Sequence, residues 1–137
     1  MASGEIGREN CRRALASFAE ALALDGSAYP EFVRDVLDSG RIQKFEYSTE
    51  IFWKHLRSCL VAEGLDVPNS PRAAIKAGLD RGFVRDDEYQ AALEMINDRN
   101  TCSHIYRQSL IAGILARLPG HCTLMRAIVE RVRSVSP

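Results

Sequence analysis

A chain of 137 residues, 46% apolar and 26% charged, is long enough for one hydrophobic core, so a single domain over residues 1–137 is expected. Its 18 basic and 18 acidic side chains cancel, unlike the strong positive surplus of a typical nucleic-acid-binding domain. No apolar run approaches a membrane span, and charges at Glu5, Arg8, Glu9, Arg12 and Arg13 leave no apolar signal core, so a cytoplasmic protein is expected, with no membrane contact.

Residues 5–24 read as a first helix, because Cys11, Leu15, Phe18 and Leu22 recur at spacings of three and four. Asp25-Gly26-Ser27 supplies a stop. Pro30 suits the first turn of a second helix, where a missing N–H costs nothing. That helix reaches about Glu63 along a stripe of Val33, Val36, Leu37, Ile42, Phe45, Thr49, Phe52, Trp53, Leu56, Cys59 and Leu60, with Gly40 as a point where it could kink or split. Phe45, Phe52 and Trp53 should be its most buried part, since aromatic rings carry the largest apolar area. His55, among Trp53, Lys54 and Leu56, reads as a polar-face residue.

Gly64 to Asn69 is a loop, and Ser70-Pro71 is an N-cap followed by a first-turn proline. A short helix over 72–81 ends at Gly82. Asp86-Asp87-Glu88 opens the next helix by placing negative charge at the positive end of its dipole. Tyr89, Leu93 and Ile96 would form its inner face, and it runs into Arg99 to Ser103. Residues 108–118 and 120–134 are helical, separated or bent at Pro119-Gly120, with Leu110, Ile114 and Leu118 inward in the first piece and Leu124, Ile128, Val129 and Val132 in the second. No alternating strand pattern interrupts this series. The expected fold is all-α, an antiparallel up-and-down bundle of four to six helices with short loops.

Cys11, Cys59, Cys102 and Cys122 contain no Cys-x-x-Cys pair, which fits reduced thiols in the cytosol. Cys102-x-His104 and His121-Cys122 offer zinc-type ligands, but their spacings match no familiar zinc loop, so neither metal nor cofactor is expected. The charge is unevenly spread. From Arg99 onward there are six arginines and one acid, Glu130, making that segment +5 and residues 1–98 −5. Such a segment either attracts phosphate or an acidic partner, or pairs with the acidic remainder of its own fold.

The richest stretch is Asp98-Arg99-Asn100-Thr101-Cys102-Ser103-His104-Ile105-Tyr106. Arginine grips phosphate through a planar fork of donors, and histidine exchanges protons near neutral pH. RNA cleaves itself when a 2′-hydroxyl attacks the neighbouring phosphorus, which requires proton transfer and a cation for the phosphorane charge. His104 fits the first role and Arg99 the second, while Asn100 and Ser103 could hydrogen-bond phosphate or fix the imidazole. On a regular helix Arg99 and His104, five positions apart, do not share a face. A helix end, or a second subunit bringing another copy of the pair, would resolve this.

Three segments carry a resemblance to a known family. Ile42-Gln43-Lys44-Phe45-Glu46-Tyr47-Ser48-Thr49-Glu50-Ile51-Phe52-Trp53-Lys54 resembles the "IQRFEFTFELAWK"-like signature of the nucleotidyltransferase substrate-binding proteins, helical bundles of the HEPN superfamily. Ser70-Pro71-Arg72-Ala73-Ala74-Ile75-Lys76 resembles their "SPREAIK" turn and helix, and Arg99-Asn100 with Ser103-His104 and Tyr106 resembles their "RN..SH.Y" element. The likeness covers roughly residues 8–133, with departures at Thr101-Cys102 and at Leu118-Pro119-Gly120-His121-Cys122. It implies a complex with a cognate minimal nucleotidyltransferase and a homodimer in which the motifs face each other. It further implies the HEPN toxin of a toxin–antitoxin pair, with metal-independent ribonuclease potential at Arg99 and His104, RNA as a possible ligand, and Tyr106 as a candidate AMP acceptor through which the nucleotidyltransferase silences the toxin. The alternative within the resemblance is a non-catalytic subunit that presents substrate to the nucleotidyltransferase.

Overall fold

The apolar stripes assemble into one cluster drawing on five helices, seen in a computed structural model that describes residues 3–103 and 108–132. Helix α1 spans Ser3–Ala23 and buries Cys11, Leu15 and Phe18, the first three residues of its expected stripe, while Leu22 is half-buried against the same cluster. A 3-10 turn, Gly26–Ala28, follows, and the Asp25 carboxylate closes it by accepting from the Ser27 amide at 3.0 Å and hydroxyl at 2.7 Å.

Helix α2 spans Glu31–Ala62. Pro30 is its N-cap rather than a residue of its first turn, and the Pro30 carbonyl accepts from the amides of Val33 and Arg34. The helix runs unbroken through Gly40, although glycine mid-helix costs roughly 0.5–1 kcal/mol relative to alanine. The next residue offsets part of that cost, since Arg41 donates to the carbonyls of Ala21 (2.9 Å) and Leu24 (2.5 Å) at the end of α1. Phe45, Phe52, Trp53, Leu56, Cys59 and Leu60 are buried as expected. Val36, expected in the same stripe, is 70% exposed, and none of the α2 residues before Phe45 is buried.

Helix α3 spans Pro71–Arg81, capped by the Ser70 hydroxyl accepting from the Ala73 amide at 3.2 Å and stopped by Gly82 at φ 91°. Helix α4 spans Asp86–Cys102, and Glu88 accepts from the Arg85 amide at its start. Ala92, Met95 and Ile96 form its most buried stripe, whereas Tyr89 and Leu93 flank it half-buried.

Helix α5 spans Gln108–Arg131 without interruption, so Pro119 divides nothing; position 134 lies outside the described residues. Proline inside a helix forfeits one hydrogen bond, about 3 kcal/mol or more. Buried apolar residues on both sides of it, Ile114 and Leu118 before and Met125 and Ile128 after, hold the two halves on one core. Leu110, expected inward, is 50% exposed. The helices pack as an antiparallel bundle in which α2 touches every other helix, and no strand occurs among the described residues.

Trp53 is 5% exposed, and its indole N–H donates to Glu50 at 3.0 Å. Trp53→Ala should therefore lower stability by about 3–5 kcal/mol, as large aromatic truncations in cores do. Urea denaturation checks this, and a loss below about 1 kcal/mol would contradict the burial.

Candidate functional site

The last turns of α4 present consecutive residues to different neighbours, because each helical position is rotated by about a hundred degrees from the one before. Asp98 points into the bundle with 6% exposure. Its carboxylate takes a two-pronged hydrogen bond from Arg117 of α5, both arms 2.8 Å, and another from His121 Nε2 at 2.7 Å. An ionised carboxylate has no proton to give, so the imidazole donates. The His121 ring stacks on Phe45 of α2 with centroids 5.4 Å apart and planes 19° apart. Burial works to raise the Asp98 pKa, and the hydrogen bonds and charge of Arg117 and His121 more than reverse it, leaving the carboxyl below its ordinary value.

Arg99, the next residue, turns toward α2 and donates to the Glu50 carboxylate at 2.5 Å. Glu50 also accepts from Trp53 and stands 3.1 Å from the Lys54 ammonium. Burial opposes its ionisation, but hydrogen bonds from Trp53 and Lys54 and the Arg99 charge hold its pKa below the ordinary glutamate value. The other arm of Arg99 donates to the Asn100 side chain at 3.2 Å. Arg99 is thus a partly covered ion pair, not a free helix-end cation, with 29% of its side chain accessible.

Asn100 and Ser103 are exposed at the end of α4, while His104 and Tyr106 lie outside the described residues. The structure thus brings Arg99, Asn100 and Ser103 to one helix end. A C-terminal helix end carries partial negative charge, so an anion arriving there would depend on Arg99. Cys102 is half-buried, and its thiol is pushed up to about 11 by burial and by the carboxylates of Glu46 and Asp98, so it stays protonated and unreactive at neutral pH. Cys122 is buried with its thiol against the Leu15 carbonyl. Among the described residues no three His, Cys, Asp or Glu side chains gather as metal ligands.

No role in the site is expected from the sequence for Asp98, Arg117 or Glu50, and His121 is weighed there only as a zinc-type ligand. One signal was available: Asp98 falls three residues after Met95, in phase with the buried stripe of α4, where an acid needs partners. His55 corrects the reading the other way. It is 8% exposed, packed so closely on Gly7 that a Cβ there would meet its Nδ1 at 2.5 Å, and burial together with Arg8 lowers its pKa.

Three arginines of the C-terminal segment pair with the acidic part of the fold. Arg99, Arg117 and Arg131 engage Glu50, Asp98 and Glu88, all from residues 1–98. A further link ties α3 to α4, where Arg72 donates to the Asn97 side chain.

Replacing Asp98 by Asn leaves Arg117 and His121 facing a neutral group. Breaking a buried pair costs about 3–5 kcal/mol, and the half-exposed Arg117 reduces that here to about 2–3 kcal/mol. Because the folded-state pKa of Asp98 is depressed, its contribution is present above the unfolded value near ~3.9 and is lost as pH falls through the folded value. The stability gap between wild type and Asp98→Asn should be widest at neutral pH and narrow below about pH 4, measured by urea denaturation across pH.

Comparison with known proteins agrees with this architecture. The family described as "nucleotidyltransferase substrate binding protein like" matches residues 8–134. A crystal structure of a protein from Thermus thermophilus shares 35% identity and superposes with a TM-score of 0.78, covering 90% of this chain and 98% of that one. No curated protein matches the chain. The three sequence segments, the bundle they build and a match over nearly the whole length place the chain in the nucleotidyltransferase substrate-binding protein-like family.

Proposed function

We propose that the chain is the helical partner subunit of a minimal nucleotidyltransferase, to which it presents a substrate without performing chemistry itself. The observation that carries this reading is the state of Arg99. A guanidinium that stabilises a phosphorane must be free when the charge develops, yet Glu50 already holds it and balances it. Glu50 of the first family-like segment is joined to Arg99 of the third, and Arg72 of the second donates to Asn97 just before the third, which suits a scaffold. The subunit acts as a homodimer through the end of α4 and the start of α5, which would set two copies of the 99–106 element face to face.

A second reading, a metal-independent ribonuclease toxin, is favoured by the Arg99, His104 and Tyr106 spacing and by the accessible part of Arg99. In it His104 moves the proton, Arg99 supports the phosphorane after leaving Glu50, and AMP attached to Tyr106 blocks RNA.

Purified chain should leave varied RNA substrates intact, its expression alone should be harmless, and it should co-purify with its cognate nucleotidyltransferase. The toxin reading would displace this one if RNA is cut in the presence of EDTA to 2′,3′-cyclic phosphate ends, and if Arg99→Ala and His104→Ala each reduce the rate about 100-fold or more. Light scattering at micromolar concentration should give twice the chain mass; a monomer would refute the dimer.

A further inference from the structure

The first turns of α2 stand out from the bundle. Phe32 and Val36 are 72% and 70% exposed, and they lie four residues apart on one face of the helix. On the adjoining face Glu31, Asp35 and Asp38 follow at spacings of four and three. Arg34 falls between Glu31 and Asp38 at spacings of three and four, with its stem against Gly26, and Arg41 is spent on the carbonyls that end α1. Glu31 is accounted for by the helix start, and Asp38 in part by Arg41 at 3.4 Å. Asp35 has neither explanation: among the described residues it has no ion-pair partner.

This acidic face opens onto a cleft of about 500 Å³ between the first half of α2 and the first half of α5. Asp35, Asp38 and Ile42 line it from α2, Ile111 and Leu115 from α5, and Cys102 stands where α4 ends. Leu110, 50% exposed on α5, adds a further apolar group on that helix. An apolar floor and ridge beside a row of carboxylates is the negative image of an amphipathic segment with a basic edge. The proposed homodimer shares the start of α5 with this cleft, but a second copy fits the α2 side poorly, because a two-fold contact there would set Glu31, Asp35 and Asp38 against the same three carboxylates.

We infer that the overhanging face of α2 and the cleft beside it receive a basic, apolar-faced segment of the nucleotidyltransferase partner. The inference rests on the partner-subunit reading and adds where and by what chemistry the partner is held. Phe32 and Val36 supply the apolar contact, and Asp35 and Asp38 select arginine or lysine.

The test is the affinity of the purified chain for its cognate nucleotidyltransferase, by titration calorimetry. Phe32→Ser combined with Asp35→Lys should weaken binding about tenfold or more, and binding by wild type should weaken as salt is raised. Gln90→Lys, an exposed change on α4, should leave affinity unchanged. Both altered sites are solvent-exposed, so melting temperature should stay within about 2 °C of wild type. If wild type binds and the double variant binds equally well, the location is wrong while the partner reading stands. If wild type does not bind, the partner reading fails and this inference fails with it. If the double variant instead turns a dimer into a monomer, the face is covered by a second copy and the inference is overturned.

Discussion

A carboxylate cut off from water must be matched by cations and hydrogen bonds, and Asp98 imposes that demand on this bundle. Its partners, Arg117 and His121, lie four residues apart on α5 and so share a face. His121 in turn lies flat on Phe45 of α2. One side chain of α4 therefore fixes that helix against α5 and, through a stacked ring, against α2. The register of the last turns of α4 follows from this anchor, and with it the direction in which Arg99 projects.

That direction decides what the functional motif is chemically. Held against α2, Arg99 meets Glu50, which is also tied to Trp53 and Lys54. Among the described residues of the positive segment that begins at Arg99, Arg99, Arg117 and Arg131 each pair with an acid from the first 98 residues. Neutralising these three lowers the long-range attraction for phosphate that the sequence count suggests. Among the described residues, the start of α2 carries an exposed surface that is apolar and mainly acidic.

Much of the fold could be read from residue spacing. Ser70-Pro71, Gly82 and the Asp86-Asp87-Glu88 start mark helix ends through local chemistry that needs no tertiary information. Phe45, Phe52 and Trp53 announced the core by size. Pro119 did not split α5 because apolar residues anchor both of its flanks to one core. Val36 misled because periodicity says which residues share a face, not whether another helix arrives to cover it. The site was less legible. Arg99 and Asn100 were identifiable from motif spacing, but the groups that determine the behaviour of Arg99 are 49 residues away at Glu50, or, through Asp98, 19 and 23 residues away at Arg117 and His121. Long-range pairs of that kind leave no local pattern beyond one acid in an apolar phase.

Whether Glu50 holds Arg99 decides the chemistry of the motif, and a double-mutant cycle of Glu50→Gln and Arg99→Gln measures that directly. Stabilities of the four proteins in urea should reveal a coupling of about 1 kcal/mol, the upper range for a pair that retains some solvent access. Additive effects, within about 0.3 kcal/mol, would show that Arg99 is energetically free and available to an incoming phosphate, contradicting the central claim.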